Sequence, residues 1–219
     1  MNDSASPRLV EGDPNDSLAA VPGRNAAKDP QRVAFSVKET DSWRDVTAAE
    51  FDQQVRALAK GFVAAGLEAG DRVGIMARTR YEWTLTDFAA WVAGLVPVPI
   101  YETSSAEQVE WILADSGATG LVVETAAHER VAQEARTNAP DLTHLWVIDN
   151  GDLDTLTTDG ADVEDARIEE RIASAGRDSL ATIIYTSGTT GRPKGCELTH
   201  DNFLGLAENT VARLGDVVS

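Results

Sequence analysis

The chain has 219 residues, a formal net charge of −17 at pH 7 and one cysteine, Cys196. This length is enough to bury a substantial core. The acidic balance argues against binding to nucleic acid or electrostatic docking on anionic lipid, because both would repel the chain. The single thiol excludes an internal disulfide and fits a reducing compartment.

No segment has the features of a secretion signal or a membrane span. Residues 1–7 lack the basic and apolar regions of a signal peptide. The longest uncharged stretch, residues 88–101, is too short to cross a bilayer and contains two prolines. We therefore expect a cytoplasmic protein whose contact with membranes, if any, is peripheral.

The first elements of the chain are a polar lead-in and a small hairpin. Residues 1–28 are interrupted by three prolines, and we expect them to be loosely ordered. The runs 33–37 and 42–46 predict two short strands around a turn.

The main body alternates between predicted helices and strands. Helical spacing and capping sequences predict helices at 47–66, 81–93, 104–117 and 126–138, with capping boxes at Thr47–Glu50 and Ser104–Glu107. Apolar runs predict strands at 73–77, 121–123 and 145–148, and the prolines within 96–101 favour an extended segment there. This pattern predicts an α/β fold with a largely parallel sheet flanked by helices.

The acidic segment 149–170 predicts an exposed loop in its first part. Its carboxylates lack the regular spacing of a calcium-binding loop, so we assign no metal to it. The three histidines, at positions 128, 144 and 200, are not spaced as metal ligands and are predicted to be caps or surface residues. Cys196 is predicted to be a small residue at the junction between a loop and a strand.

The most informative stretch follows a predicted strand at 182–185 and precedes a predicted helix that begins near Thr199. Its glycines allow close approach of the backbone to an anion, its hydroxyls donate, and its lysine adds a compact positive charge. The candidate phosphate-binding residues are Thr186, Ser187, Gly188, Thr189, Thr190, Gly191 and Lys194. The spacing matches neither a Walker loop nor a dinucleotide-binding fingerprint. A flexible hydrophilic surface loop is the alternative interpretation.

Residues 185–195, Tyr-Thr-Ser-Gly-Thr-Thr-Gly-Arg-Pro-Lys-Gly, resemble the signature of the adenylate-forming superfamily. This superfamily contains acyl-CoA synthetases, luciferases and peptide-synthetase adenylation domains. The segments 43–51 and 66–75 resemble the beginning of the same family, and 82–83, 98–108 and 112–117 resemble its long-chain fatty acyl-CoA ligase branch. The resemblance extends over about residues 30–210.

The resemblance implies an ATP-dependent ligase that converts a fatty acid to an acyl-adenylate and then transfers the acyl group to coenzyme A. The loop would hold the pyrophosphate leaving group, with Lys194 near its charge. Family members are two to three times longer, so residues 29–219 would be the N-terminal part of the AMP-binding domain. The magnesium ligand, the ribose-binding residues and the catalytic lysine would then lie outside this chain, and we assign no catalytic residue and no metal ligand within it.

Two further expectations follow. The isolated chain should be inactive, and it should be able to self-associate through surfaces that the remainder would cover. Alternative functions are a fatty acyl-AMP ligase, an aryl-CoA ligase, another adenylating enzyme, or a nucleotide-binding module without catalysis.

Overall fold

The computed structural model describes residues 8–186 and 192–218, and for residues 216–218 it describes the backbone alone. The helices are α1 (Val21–Lys28), α2 (Ala48–Ala64), α3 (Tyr81–Val92), α4 (Ala106–Ser116), α5 (Ala126–Ala135), α6 (Asp152–Asp159), α7 (Asp165–Ser174) and α8 (His200–Val218). The strands are β1 (Val33–Lys38), β2 (Trp43–Thr47), β3 (Arg72–Met76), β4 (Val96–Ile100), β5 (Ala118–Val123), β6 (His144–Val147), β7 (Leu180–Thr186) and β8 (Lys194–Thr199).

The centre of the fold is a parallel sheet of four strands in the order β4-β3-β5-β6. The last residue of β3, Met76, lies opposite Ile100 of β4 and Val123 of β5, so these strands end at one common edge. Helices α3, α4 and α5 connect successive strands, which is the usual connection between parallel neighbours. The predicted α/β class with a largely parallel sheet is confirmed.

Helices cover both faces of this sheet. Val73 and Val122 pack on one face in a core shared with α2 and α3. Met76, Leu121 and Val123 pack on the other face in a core shared with α4 and α5. Because both faces are buried, the central strands are continuous apolar runs and do not alternate between apolar and polar residues.

The predicted hairpin before the main body is confirmed as the antiparallel pair β1 and β2. The Glu39 amide donates to the Ser42 carbonyl and closes the turn at 2.9 Å. The hairpin is joined to the body by aromatic contact, since the rings of Phe35 and Phe51 lie 4.8 Å apart.

Strand β4 forms the edge of the parallel ladder, and β7 lies beside it in a separate two-stranded sheet. Pro97 and Pro99 have no N–H group, so β4 lacks two of the donors that a further ladder would need. A side chain connects the two strands, because the buried Thr182 hydroxyl donates to the Pro97 carbonyl at 2.9 Å. Helix α3 adds a second attachment for β7, since the Trp91 indole donates to the Ala181 carbonyl at 2.7 Å.

The expectation of a loosely ordered lead-in is wrong for part of residues 1–28. Leu18–Ala20 form a short 3-10 helix that continues into α1, and Pro22 lies in the first turn, where a proline fits a helix. Farther upstream, the Arg8 guanidinium pairs with Asp201 at 2.6 Å. The Arg177 guanidinium donates to the Asp13 carbonyl at 2.9 Å. These contacts fix the segment, and they involve residues too distant in sequence for a local pattern to reveal.

The first part of the acidic segment was also predicted incorrectly, because it contains α6 where we expected an exposed loop, and α7 follows it. Leu153, Leu156 and Ile168 are buried, so each helix has an apolar side that packs on the body. Asp152 and Asp165 lie in the first turns of these helices, where a negative charge is favourable. The high acid content concealed helices whose apolar residues are few but correctly spaced.

The helix starts agree closely with the sequence. Thr47 and Glu50 form the predicted capping box, whereas the second box lies one residue later, at Ser105 and Gln108. Among the helices of the described residues, none combines the length and the apolar character needed to cross a membrane.

We expect Gly61→Ala to destabilise the fold although alanine favours helices. Gly61 lies in α2 where α6 crosses it, and an added Cβ would collide with the Leu156 carbonyl. Chemical denaturation should give a free energy of unfolding lower by about 2 kcal/mol. In the control, Gly215→Ala in α8, nothing lies within 4 Å of the added Cβ, so this change should be neutral or stabilising by up to about 1 kcal/mol. Equal effects of the two substitutions would contradict the close approach of α2 and α6.

Candidate phosphate-binding site

The predicted phosphate loop joins two antiparallel strands, β7 and β8, in a hairpin. We predicted a strand, a loop and then a helix, and that order is wrong because β8 lies between the loop and α8. Thr186 is paired with Lys194, and Ile184 with Cys196. Cys196 therefore lies within a strand, where it is exposed.

Two of the candidate residues lie within the described residues, at the ends of the two strands. Thr186 and Lys194 are directly opposed and both are exposed. Opposed residues in an antiparallel pair project from the same face, so a hydroxyl and an ammonium group are available to one ligand. The other candidates, Ser187, Gly188, Thr189, Thr190 and Gly191, lie outside the described residues, and their roles stay predictions.

The charge of Lys194 is available to a ligand. None of the ion pairs between described residues involves this side chain. In a chain with a net charge of −17, an exposed lysine without an ion-pair partner among the described residues is a candidate for contact with an anion.

Helix α4 contacts both strands of the hairpin, which the sequence did not predict. The Trp111 indole donates to the Pro193 carbonyl at 2.9 Å, and the Arg192 guanidinium carbon lies 4.4 Å from the centre of the Trp111 ring. The Tyr185 hydroxyl donates to the Asp115 carboxylate at 2.6 Å. Burial, reinforced by this carboxylate, raises the pKa of Tyr185, so the phenol stays protonated and remains a donor.

Gly195 lets the two strands pack closely next to Lys194. A Cβ at this position would lie 2.8 Å from Ile183 Cγ2 and 3.2 Å from Tyr185 Cζ. A larger residue would therefore displace the buried face of β7.

A cavity of about 430 Å³ lies at the edge of the sheet next to β7. Its walls come from the ends of β3 and β4, from the first turn of α3 and from β7. The lining residues are Ala77, Thr79, Trp83, Pro99, Ile100, Tyr101, Glu102, Ile184 and Tyr185. A largely apolar cavity at the carboxyl ends of parallel strands is a common position for ligands in α/β folds.

A buried carboxylate organises the same edge. Glu124 follows β5, is fully buried, and accepts hydrogen bonds from the Arg78 guanidinium at 2.6 Å and the Arg78 amide at 2.9 Å. Arg80 adds a weaker contact at 3.4 Å and pairs with Asp149 at 2.9 Å. The hydrogen bonds from Arg78 lower the pKa of Glu124 to about 2. This network connects the ends of β3, β5 and β6.

The histidines do not form a site. His200 was predicted to be a cap or surface residue, but it is only 3% exposed, and its Nδ1 accepts the Leu18 amide at 3.2 Å. Burial lowers the pKa of His200 to about 4, so this ring is neutral at pH 7. His144 stacks on Trp146, with ring centres 5.3 Å apart. Within residues 8–186 and 192–218, no group of three or more His, Cys, Asp or Glu side chains is arranged to hold a metal ion.

The sheet and its attached hairpin define an α/β domain with a candidate phosphate-binding element at the edge of the sheet. Comparison with known proteins assigns it further. The family model described as AMP-binding enzyme matches residues 23–218. The chain therefore belongs to the family of AMP-binding enzymes.

Individual relatives agree with this assignment. The chain is 46% identical over 193 residues to the long-chain-fatty-acid–CoA ligase FadD15 of Mycobacterium bovis, covering 87% of the chain and 32% of that protein. FadD15 of Mycobacterium tuberculosis is 45% identical with the same coverage. The crystal structure of the long-chain-fatty-acid–CoA ligase FadD1 from Archaeoglobus fulgidus superposes with a TM-score of 0.78 at 25% identity, covering 92% of this chain and 40% of that one. The chain thus spans about a third of the length of the two mycobacterial ligases.

We expect Glu124→Gln to change how stability depends on pH. A carboxylate whose pKa is lowered in the folded state stabilises the fold above its ordinary pKa near 4.5, and this contribution is lost as the pH falls towards 2. As the pH falls from 4.5 to 2, the free energy of unfolding of the native chain should decrease by up to about 3 kcal/mol more than that of the variant. Denaturation with urea at a series of pH values measures the difference.

The control for this prediction is Glu170→Gln, which removes an exposed ion pair with Arg167. Exposed pairs contribute roughly 0–1 kcal/mol, so the control should follow the native curve. Parallel curves for the native chain and the Glu124→Gln variant would contradict the role of this carboxylate.

Proposed function

We propose that this chain is the N-terminal part of an ATP-dependent long-chain fatty acid–CoA ligase. The whole enzyme would join a fatty acid to AMP with release of pyrophosphate, and then transfer the acyl group to coenzyme A. The observation that carries the proposal is the exposed pair of Thr186 and Lys194, opposed at the base of the hairpin. Similarity to the mycobacterial ligases supports the reaction and the class of acid.

The physical difficulty of the first step is charge, since an anionic carboxylate must approach the polyanionic phosphates of ATP. Fixed donors and cations that meet the leaving group reduce this repulsion and stabilise the developing charge. In our proposal the hydroxyls of Thr186, Ser187, Thr189 and Thr190 donate to phosphate oxygens. Gly188 and Gly191 permit backbone amides to approach them, and Lys194 compensates the charge of the pyrophosphate.

Other components of the reaction are placed outside this chain. From the resemblance to adenylate-forming enzymes, we propose that the magnesium ligand lies in the remainder of the enzyme. We place the coenzyme A site and the catalytic lysine there as well. In keeping with its expected cytoplasmic location, the enzyme would meet membranes only peripherally.

We expect Lys194→Ala to weaken the binding of MgATP. Removing a hydrogen bond to a charged group costs about 1.5–3 kcal/mol, which corresponds to at least about tenfold in affinity. Isothermal titration measures the change. Lys38→Ala removes an exposed lysine from β1 and should leave the affinity unchanged. Equal affinities for both variants would refute the role of Lys194.

We expect the isolated chain to release almost no pyrophosphate when supplied with fatty acid and MgATP. The product of the complete reading frame should release it in proportion to the fatty acid supplied. A panel of long-chain, short-chain, aromatic and amino acids, assayed with and without coenzyme A, identifies the substrate. Strong activity of the isolated chain would overturn the claim that its site is incomplete, and an exclusive preference for aromatic or amino acids would overturn the long-chain assignment.

A further inference from the structure

One face of α4 contacts the hairpin on both sides of the predicted phosphate loop. Trp111 and Asp115 are one helical turn apart and therefore lie on the same face. Trp111 binds the residue that precedes β8, and Asp115 binds the next-to-last residue of β7. We call these four residues, Trp111, Asp115, Tyr185 and Pro193, the α4 clamp.

The outer strand needs this support because burial does not supply it. Lys194, Gly195, Cys196 and Glu197 are all exposed. The antiparallel ladder joins β8 to β7, but a ladder alone leaves the first residues of an outer strand free to fray. At Pro193 the indole N–H of Trp111 adds a hydrogen bond from outside the hairpin.

Tryptophan is well suited to this position because it makes two contacts at once. Its N–H donates to the Pro193 carbonyl, while its ring face receives the Arg192 guanidinium at 4.4 Å. Proline fixes its own backbone torsion φ. A hydrogen bond that anchors the Pro193 carbonyl therefore also restricts the direction in which the backbone continues to Lys194. On the other strand, β7, the restraint comes from the side-chain hydrogen bond that Tyr185 donates to Asp115.

We propose that Trp111 is a positioning residue that sets the place of Lys194 through Pro193. The inference rests on the proposed function of the hairpin in phosphate binding. Trp111 itself does not touch the nucleotide in this proposal. Its effect should therefore appear in the order of the hairpin and in the Michaelis constant for ATP, and not in the Michaelis constant for the fatty acid.

The first experiment measures amide hydrogen exchange in the 219-residue chain. Trp111→Phe keeps a ring for Arg192 but removes the N–H, and it should raise exchange in peptides covering residues 194–198 by about fivefold. Trp43→Phe is the control, because Trp43 is an exposed tryptophan on β2. Exchange in Trp111→Phe that equals the control would overturn the clamp. This result does not depend on any activity of the protein.

The second experiment uses the product of the complete reading frame. Trp111→Phe should raise the Michaelis constant for ATP by about fivefold and leave that for the fatty acid within twofold, with an unchanged melting temperature. Faster exchange together with an unchanged constant for ATP would overturn the positioning role. If the native protein neither binds nor uses ATP, the proposed function fails, whereas the exchange measurement still decides whether the clamp exists.

A second variant guards against a failure of Trp111→Phe to fold. Tyr185→Phe removes only the hydroxyl that binds Asp115, and it should increase exchange in residues 182–186. No change in that segment would overturn the part of the clamp formed by Asp115 and Tyr185.

Discussion

The two prolines of β4 impose the constraint on which the arrangement of the site depends. A strand that lacks two N–H donors cannot extend a regular ladder on both sides, so the parallel sheet ends at β4. The hairpin of β7 and β8 is consequently attached by side chains. Thr182 and Trp91 supply donors to the carbonyls of Pro97 and Ala181 at the inner strand, and α4 holds the end that carries the predicted loop.

Charge is distributed unevenly in this acidic chain. Many carboxylates lie on the outer sides of α6 and α7, where water solvates them at little cost. By contrast, Arg192 and Lys194 place two cationic groups within three residues of each other at the base of the hairpin. Neither cation takes part in an ion pair with another described residue, and this local concentration of positive charge is what the proposed phosphate site would use.

Local sequence signals predicted the helices and strands that are determined by interactions between residues close in sequence. Thr47 and Glu50 fixed the start of α2 because both partners of the capping box lie within one turn. The succession of continuous apolar runs and segments with helical spacing was enough to predict an α/β fold with a parallel sheet. The prolines of β4 likewise excluded a helix without knowledge of any neighbour.

Features that depend on distant partners escaped prediction. The contact between Trp111 and Pro193 joins residues 82 positions apart. Neither residue type gives a local signal from which this contact could be predicted. The burial of His200 likewise involves distant residues, since its ring accepts the Leu18 amide and lies 6.2 Å from the Trp91 ring. Strand β8 was missed because its exposed, glycine-containing sequence has little apolar character, and it exists through its pairing with β7. The candidate loop was proposed from its composition and its resemblance, and the helix at 104–117 was predicted as well. The contacts between that helix and the residues on either side of the loop were visible only in the fold.

The side-chain attachment of the hairpin to β4 has a mechanical consequence. Sliding one strand of a ladder along another breaks every backbone hydrogen bond between them at once, which makes the register rigid. Between the hairpin and β4 the described contacts are instead the hydrogen bond from Thr182 to the Pro97 carbonyl and the packing of Ile183 and Tyr185 in the shared core. The position of the hairpin along β4 is therefore determined by side-chain shape and side-chain hydrogen bonds, and substitutions at these side chains act on it directly.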